Sequence, residues 1–194
     1  MKPDRLNALT DGVIAIAITI VVLELPVPET GSLAGIRAIA PVLSAYLLSF
    51  INIGIFWNNH HHMLMTVDHV DGRVLWPNLS LLFFISLVPF VIRWINEAGF
   101  SSWPVAGYGV VLLGAALSYN LLERTIVSIH RDGTLVRAIG SDWKGKLSAA
   151  GYASAIGLAF VEPFVAIAIY VAIAILWIVP DRRIEREVIQ RKVR

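Results

Sequence analysis

The sequence contains no cysteine, and only 15% of its 194 residues are charged. The lack of cysteine excludes a disulfide framework and a thiolate metal site. A soluble domain of this length would be about one quarter charged, so the scarcity of charge argues against a soluble protein. Hydrophobic residues make up 57% of the chain, and the mean hydropathy is +0.70. The composition therefore predicts an integral membrane protein.

Six apolar stretches follow one another along the chain, and a membrane-spanning helix needs about 20 apolar residues. We predict an all-α membrane protein, a single unit over residues 1–194, with spans at 5–25, 33–57, 74–95, 105–122, 147–161 and 163–179. The fifth stretch is the weakest and is rich in glycine and alanine. Small residues let helices approach closely in lipid, so we expect this span inside the bundle. The alternative is a half-buried segment that does not cross.

Lysine and arginine fall almost entirely on one side of these spans. Fourteen of the 16 lie in the N-terminus, in the connections after spans two and four, and in the basic tail 181–194, which leaves Arg37 and Arg93 on the other side. The positive-inside rule places the crowded side in the cytoplasm. We therefore predict a multi-pass protein of the cell membrane with both termini cytoplasmic, and we attribute the pI of 9.1 to topology rather than to nucleic-acid binding.

The first span has two distinct faces. At 100° per residue, four residues lie within about 60° of one another: Gly12, Ile16, Thr19 and Leu23. Asp11 lies about 100° away from Gly12 and would face a neighbouring helix. An ionisable group at the edge of an apolar span is a functional-site hypothesis by default. The alternative is an interfacial carboxylate that assists the start of the helix.

The second span ends in a polar string that runs from Trp57 to His62 and contains three consecutive histidines. Consecutive residues on a helix point in different directions, so these histidines cannot all bind one ion, and we predict no metal site. We expect structural hydrogen bonding near the cytoplasmic interface, with one histidine reaching Asp11 or Thr10. Asn78 lies at the same level in the third span and is expected to join this network.

Two other functions are disfavoured by the sequence. The string Val105–Gly109 is similar to the filter of potassium channels, but it opens a complete span and has no pore helix before it. The spans offer no Ser/His/Asp set and no paired carboxylates, so we predict that the protein is not an enzyme and needs no cofactor.

The first span resembles the N-terminal signature of the transmembrane-protein-175 family, the lysosomal and bacterial potassium channels. That signature is Arg-x-x-x-Phe-Ser-Asp before an aliphatic span with threonine, and it reads here as Arg5, Leu9, Thr10 and Asp11. Leucine replaces the aromatic residue, while threonine keeps the hydroxyl of serine.

The resemblance extends over nearly the whole chain. Trp57 with His60 and His61 looks like the second span of the family, the segment 78–90 is similar to its third, and the segment 177–185 looks like the tail of bacterial members.

The resemblance implies a homotetramer of six-helix subunits in the lipid bilayer, with the first helix of each lining a central pore. It also implies an aliphatic constriction at Ile16 and a hydroxyl layer at Thr19 in place of a carbonyl filter. Leu23 shares their face of the helix and lies a further turn outward. Aliphatic rings gate by dewetting and supply no ion ligands. The expected function is a cation channel that is permeable to K⁺ and modestly selective, with monovalent cations and other copies of the chain as its partners.

A secondary transporter or a proton-conducting membrane protein remains the alternative. It would use Asp11 with His60 or His61 as a relay, as intramembrane carboxylate and histidine chains do elsewhere. The later spans contain few charges and no evident repeat of the first half, which favours the channel.

Overall fold

The computed structural model describes residues 3–65, 69–129 and 143–178, and the regular structure in these ranges is α-helical. Seven helical segments follow in order: α1 (Asp4–Leu23), α2 (Leu33–Leu64), α3 (Gly72–Ser86), α4 (Val88–Ala98), α5 (Ser102–Ile129), α6 (Trp143–Leu158) and α7 (Pro163–Ile178). The basic tail 181–194, and residues 131 and 137 in the connection after α5, lie outside the described residues.

The segments α3 and α4 form one helical rod that is interrupted at Leu87. Pro89 has no backbone N–H to donate and crowds the preceding turn, and the N–H of Leu87 bonds to the Phe84 carbonyl at 3.1 Å. When this rod is counted once, the described part of the chain contains six rods. The all-helical prediction with six helices is confirmed, although the third predicted span is a broken helix rather than a continuous one.

Four of the rods are long and apolar enough to cross a membrane: α1, α2, α3 with α4, and α5. The remaining helices, α6 and α7, have 16 residues each and are shorter than these four rods. The helix α7 is apolar, whereas α6 is both short and less hydrophobic. Two helices run seven residues past the end of their predicted spans, because α2 continues to Leu64 and α5 to Ile129. Hydropathy marks the apolar part of a helix, and these two helices continue through polar residues.

The helix α5 is the centre of the bundle. Both α3 and α6 pack along it, and α7 packs against α6. Leu81 and Ile85 of α3 and Leu112, Leu122 and Ile126 of α5 are each at most 1% exposed. By contrast, only 28% of the apolar part of α1 and 17% of that of α2 are buried, against 50% for α5. The first two helices therefore leave surface for lipid or for further copies of the chain.

The start of α3 is fixed by its N-cap. The Asp71 carboxylate accepts a hydrogen bond from the backbone N–H of Arg73 at 2.9 Å and pairs with the Arg73 guanidinium at 2.8 Å. The hydrogen bond from the Arg73 side chain lowers the pKa of the Asp71 carboxyl below its ordinary value. This cap sets the helical position of Asn78, about two turns further along.

A close helix contact depends on Gly109 of α5. A Cβ at this position would overlap the Tyr170 hydroxyl and would lie 2.8 Å from Ile156. The Tyr170 hydroxyl donates to the Val105 carbonyl at 3.1 Å, so it cannot move aside without losing a buried hydrogen bond.

We expect Gly109→Ala to lower the free energy of unfolding by about 1–3 kcal/mol, as overpacking does. The matched control is Gly157→Ala in α6, where no atom lies within 4 Å of the added Cβ. The control should be neutral or slightly stabilising, because alanine has the higher helix propensity. Thermal unfolding of the purified protein in detergent measures both variants. If the two variants changed the thermal midpoint equally, α5 and α7 would not be in close contact at Gly109.

Candidate pore face and the polar network behind it

The helix α1 has one buried face and one exposed face. Its buried residues recur every three or four positions, which places them on one side of the helix: Leu6, Thr10, Ile14, Ala17 and Val21. The other side carries the candidate pore face, which we define as Ile16, Thr19 and Leu23. Ile16 is 60% exposed and Leu23 78% exposed, and Thr19 is exposed as well.

The hydroxyl of Thr19 is bound to its own helix. Its Oγ1 lies 3.0 Å from the Ala15 carbonyl oxygen and 2.9 Å from that of Ile16. A hydroxyl has one hydrogen to donate and two lone pairs that accept. Because the hydrogen is used within the helix, the lone pairs remain for a water molecule or a cation on the exposed side.

Behind this face, three helices meet at a buried group of polar side chains. Asn78 of α3 stands at its centre, and its Nδ2 donates to Thr10 Oγ1 of α1 at 3.2 Å. His60 of α2 lies with Nε2 2.7 Å from Asn78 Oδ1, and because that oxygen only accepts, Nε2 carries the hydrogen. Thr10 and Asn78 are fully buried and His60 is 1% exposed. We call these three residues the Asn78 network.

Asp11 belongs to a separate and more exposed contact. Its Oδ1 accepts a hydrogen bond from Trp57 Nε1 of α2 at 2.8 Å. Trp57 is 40% exposed, and its indole ring stacks on the His61 ring, with 5.7 Å between the ring centroids. The carboxylate therefore faces a neighbouring helix, on the side of α1 where the helical periodicity placed it.

The expectation that a histidine would reach Asp11 or Thr10 directly was wrong. His60 reaches Thr10 through Asn78, and the partner of Asp11 is Trp57. The reason is that residues 10 and 11 point about 100° apart on α1, so they meet different helices. Arg5 and Leu9 are exposed, and Arg5 forms no ion pair with any residue that the structure describes. Neither residue has a side-chain hydrogen bond to Thr10, His60 or Asn78 in the part of the chain that the structure describes.

The filter-like string Val105–Gly109 lies inside the continuous helix α5. The buried Tyr108 hydroxyl accepts hydrogen bonds from Ser49 Oγ at 3.1 Å and from Asn52 Nδ2 at 3.3 Å, so it joins α5 to α2. Its role there is structural. Within the ranges that the structure describes, no three side chains of the metal-binding types lie close enough together to hold an ion.

A second polar cluster, which was not predicted from the sequence, lies at the Leu23 end of α1. There Glu24 contacts Arg93 and Asn96 of α4. One signal was present in the sequence, because Arg93 is one of only two basic residues assigned to that side of the membrane.

Comparison with known proteins gives concordant results. The family model described as endosomal/lysosomal potassium channel TMEM175 matches residues 5–89. A potassium channel of Chryseobacterium sp. (strain P1-3) is 45% identical over 187 residues, which are 96% of this chain and 97% of that protein. A potassium channel of Streptomyces collinus is 33% identical over 172 residues, 81% of this chain and 82% of that one.

A solved structure matches as well. The crystal structure of a lysosomal potassium-selective channel TMEM175 homologue from Chamaesiphon minutus has a TM-score of 0.79 to this chain at 26% sequence identity. The match covers 92% of this chain and 97% of that one. It therefore includes the later helices as well as the region that the family model matches.

Proposed function

This chain belongs to the TMEM175 family, and from that premise we propose that it forms a potassium-permeable, modestly selective cation channel. The observation that carries the proposal is the exposure of Ile16, Thr19 and Leu23 on α1. In the protomer these side chains face away from the bundle, while the opposite side of the same helix is buried. An aliphatic and hydroxyl surface of this kind suits the wall of a narrow pore between copies of the chain.

The proposed assembly is a homotetramer in the cell membrane with four α1 helices around a central axis. One protomer supplies a single α1 and cannot enclose a pore by itself. The low burial of α1 and α2 leaves the surface that contacts between copies would need. Both termini face the cytoplasm in this proposal, so the Asn78 network lies toward the cytoplasm and Leu23 toward the outside.

In the proposed pore, a ring of Ile16 side chains forms the constriction. Such a ring offers no ligands and conducts only when it is wetted. Four Thr19 hydroxyls, one turn further along, supply lone pairs that replace part of the hydration shell of an ion or hold its remaining waters. Potassium sheds water more easily than sodium, so this pore favours potassium, but with fewer ligands than a carbonyl filter provides.

In this mechanism the Asn78 network holds α1 in one orientation relative to α2 and α3. It ties α1 to α2 and α3 through buried hydrogen bonds. Rotation of α1 about its axis would break these bonds, so the network fixes which side of the helix faces the pore.

Ion flux into proteoliposomes tests the proposal. The purified full-length chain should allow a potassium gradient to drive charge movement without a second ion, and sodium should substitute less well. Potassium movement that requires a proton or sodium gradient would indicate a transporter instead. Proton current without potassium current would indicate the Asp11 relay, and either result would overturn the channel proposal.

A further inference from the structure

Charged and amide side chains surround the Leu23 end of α1, at the end opposite to the Asn78 network. Glu24 is the C-cap residue of α1, and its backbone oxygen accepts a hydrogen bond from Asn96 Nδ2 at 3.3 Å. Its carboxylate lies 3.9 Å from Arg93 Nε, which also pairs with Glu97 at 2.9 Å. We call these four residues the Glu24 cluster.

The Glu24 cluster contains groups that stabilise the C-terminal end of a helix, namely a hydrogen-bond donor and a positive charge. The last carbonyls of a helix have no partner within it and carry a partial negative charge. The Asn96 amide donates to one such oxygen, and the positive charge of Arg93 stands beside the same end. Arg93 and Asn96 lie three residues apart on α4 and therefore on the same side of it.

The Glu24 cluster and the Asn78 network hold opposite ends of one helix. Between them α1 packs against the bundle through Ile14, Ala17 and Val21, which are at most 3% exposed. Leu23, the outermost residue of the candidate pore face, immediately precedes Glu24. The cluster therefore holds the backbone immediately after the last residue of the candidate pore face.

Taking the proposed channel function as given, we propose that Arg93 and Asn96 are positioning residues for the outer mouth of the pore, and that Glu24 and Glu97 make this mouth attractive to hydrated monovalent cations. Each protomer contributes two carboxylates and one guanidinium to the cluster. Four protomers would surround the mouth with a net negative charge. Charge of one sign around a narrow opening raises the local concentration of its counterions.

The first test uses the absence of cysteine from the chain. Leu23→Cys in the full-length protein introduces a single thiol at the mouth, and its reaction with cationic and anionic thiol reagents is measured from outside intact cells. Arg93→Gln should raise the cationic-to-anionic rate ratio by roughly threefold, and Glu24→Gln should lower it by roughly as much, as expected for one unit charge at close range. Both changes break the same contact, so a purely structural effect would move the ratio in the same direction.

The second test measures positioning. The thermal midpoints of Glu24→Gln, Arg93→Gln and the double variant form a cycle in detergent. We expect the double variant to be about as stable as the weaker single variant, because the second change removes a partner that is already lost. Arg37→Gln is the matched control, since it removes the same charge from the same side and should combine additively with Glu24→Gln.

The outcomes separate this inference from the channel proposal, because neither readout requires ion flux. Opposite shifts in the rate ratio together with a non-additive cycle support the Glu24 cluster, and they would do so even if potassium flux were absent and the channel proposal failed. Unchanged ratios or an additive cycle in a protein that conducts potassium would overturn the inference and leave the channel proposal standing.

Discussion

Asn78→Leu is expected to destabilise the protein more than any other single change in the polar contacts behind the candidate pore face. The substitution keeps much of the side-chain volume but removes both the amide oxygen that accepts from His60 and the amide nitrogen that donates to Thr10. Both partners are at most 1% exposed, so water cannot replace the lost bonds. Each buried polar group left without a partner costs about 1–3 kcal/mol. Unfolding of the purified protein in detergent measures the loss.

Two further variants make this prediction specific. Trp57→Phe removes the hydrogen bond to Asp11, but Trp57 is 40% exposed and water can take its place, so a much smaller loss is expected. Adding Thr10→Val to Asn78→Leu removes both members of one bond, and the pair should cost less than the sum of the two single changes. If Trp57→Phe cost as much as Asn78→Leu, the Asn78 network would not be the main polar support of α1.

The sequence predicted the features of the fold that depend on one helix at a time. Hydropathy located six apolar segments, because each spanning helix must be long and apolar enough to cross the bilayer by itself. Helical periodicity placed Ile16, Thr19 and Leu23 on one side of α1, and the structure leaves that side exposed. Both inferences need only the geometry of a single helix.

Features that depend on two helices were predicted less well. The choice of Asn78 as the link between His60 and Thr10 requires the relative rotation of α1, α2 and α3, and a periodic pattern within each helix does not contain this information. The contact between Glu24 and Asn96 joins residues 72 positions apart and was missed for the same reason. The break at Leu87 was within reach of the sequence, because Pro89 interrupts the hydrogen bonding of any helix that contains it.

The pore face also leads to a prediction about conduction, in which Ile16→Asn is expected to raise conductance severalfold and to lower the preference for potassium. The reason is that a ring of amide side chains stays wet, whereas an aliphatic ring excludes water. The matched control is Ile175→Asn on α7, because Ile175 is 60% exposed, as is Ile16, but does not lie on α1. The control should leave conductance and reversal potential unchanged.

Thr19→Ala tests the hydroxyl layer separately from the constriction. It removes the oxygen whose lone pairs remain after its hydrogen bonds to Ala15 and Ile16, while the Ile16 ring stays in place. We therefore expect a protein that still conducts but discriminates less between potassium and sodium. The measurement is the reversal potential with potassium on one side and sodium on the other, for Thr19→Ala, Ile16→Asn and the Ile175→Asn control. If both α1 variants kept the wild-type conductance and reversal potential, α1 would not line the pore, because a narrow pore cannot lose its constriction and its only proposed ion-facing hydroxyl without a change in permeation.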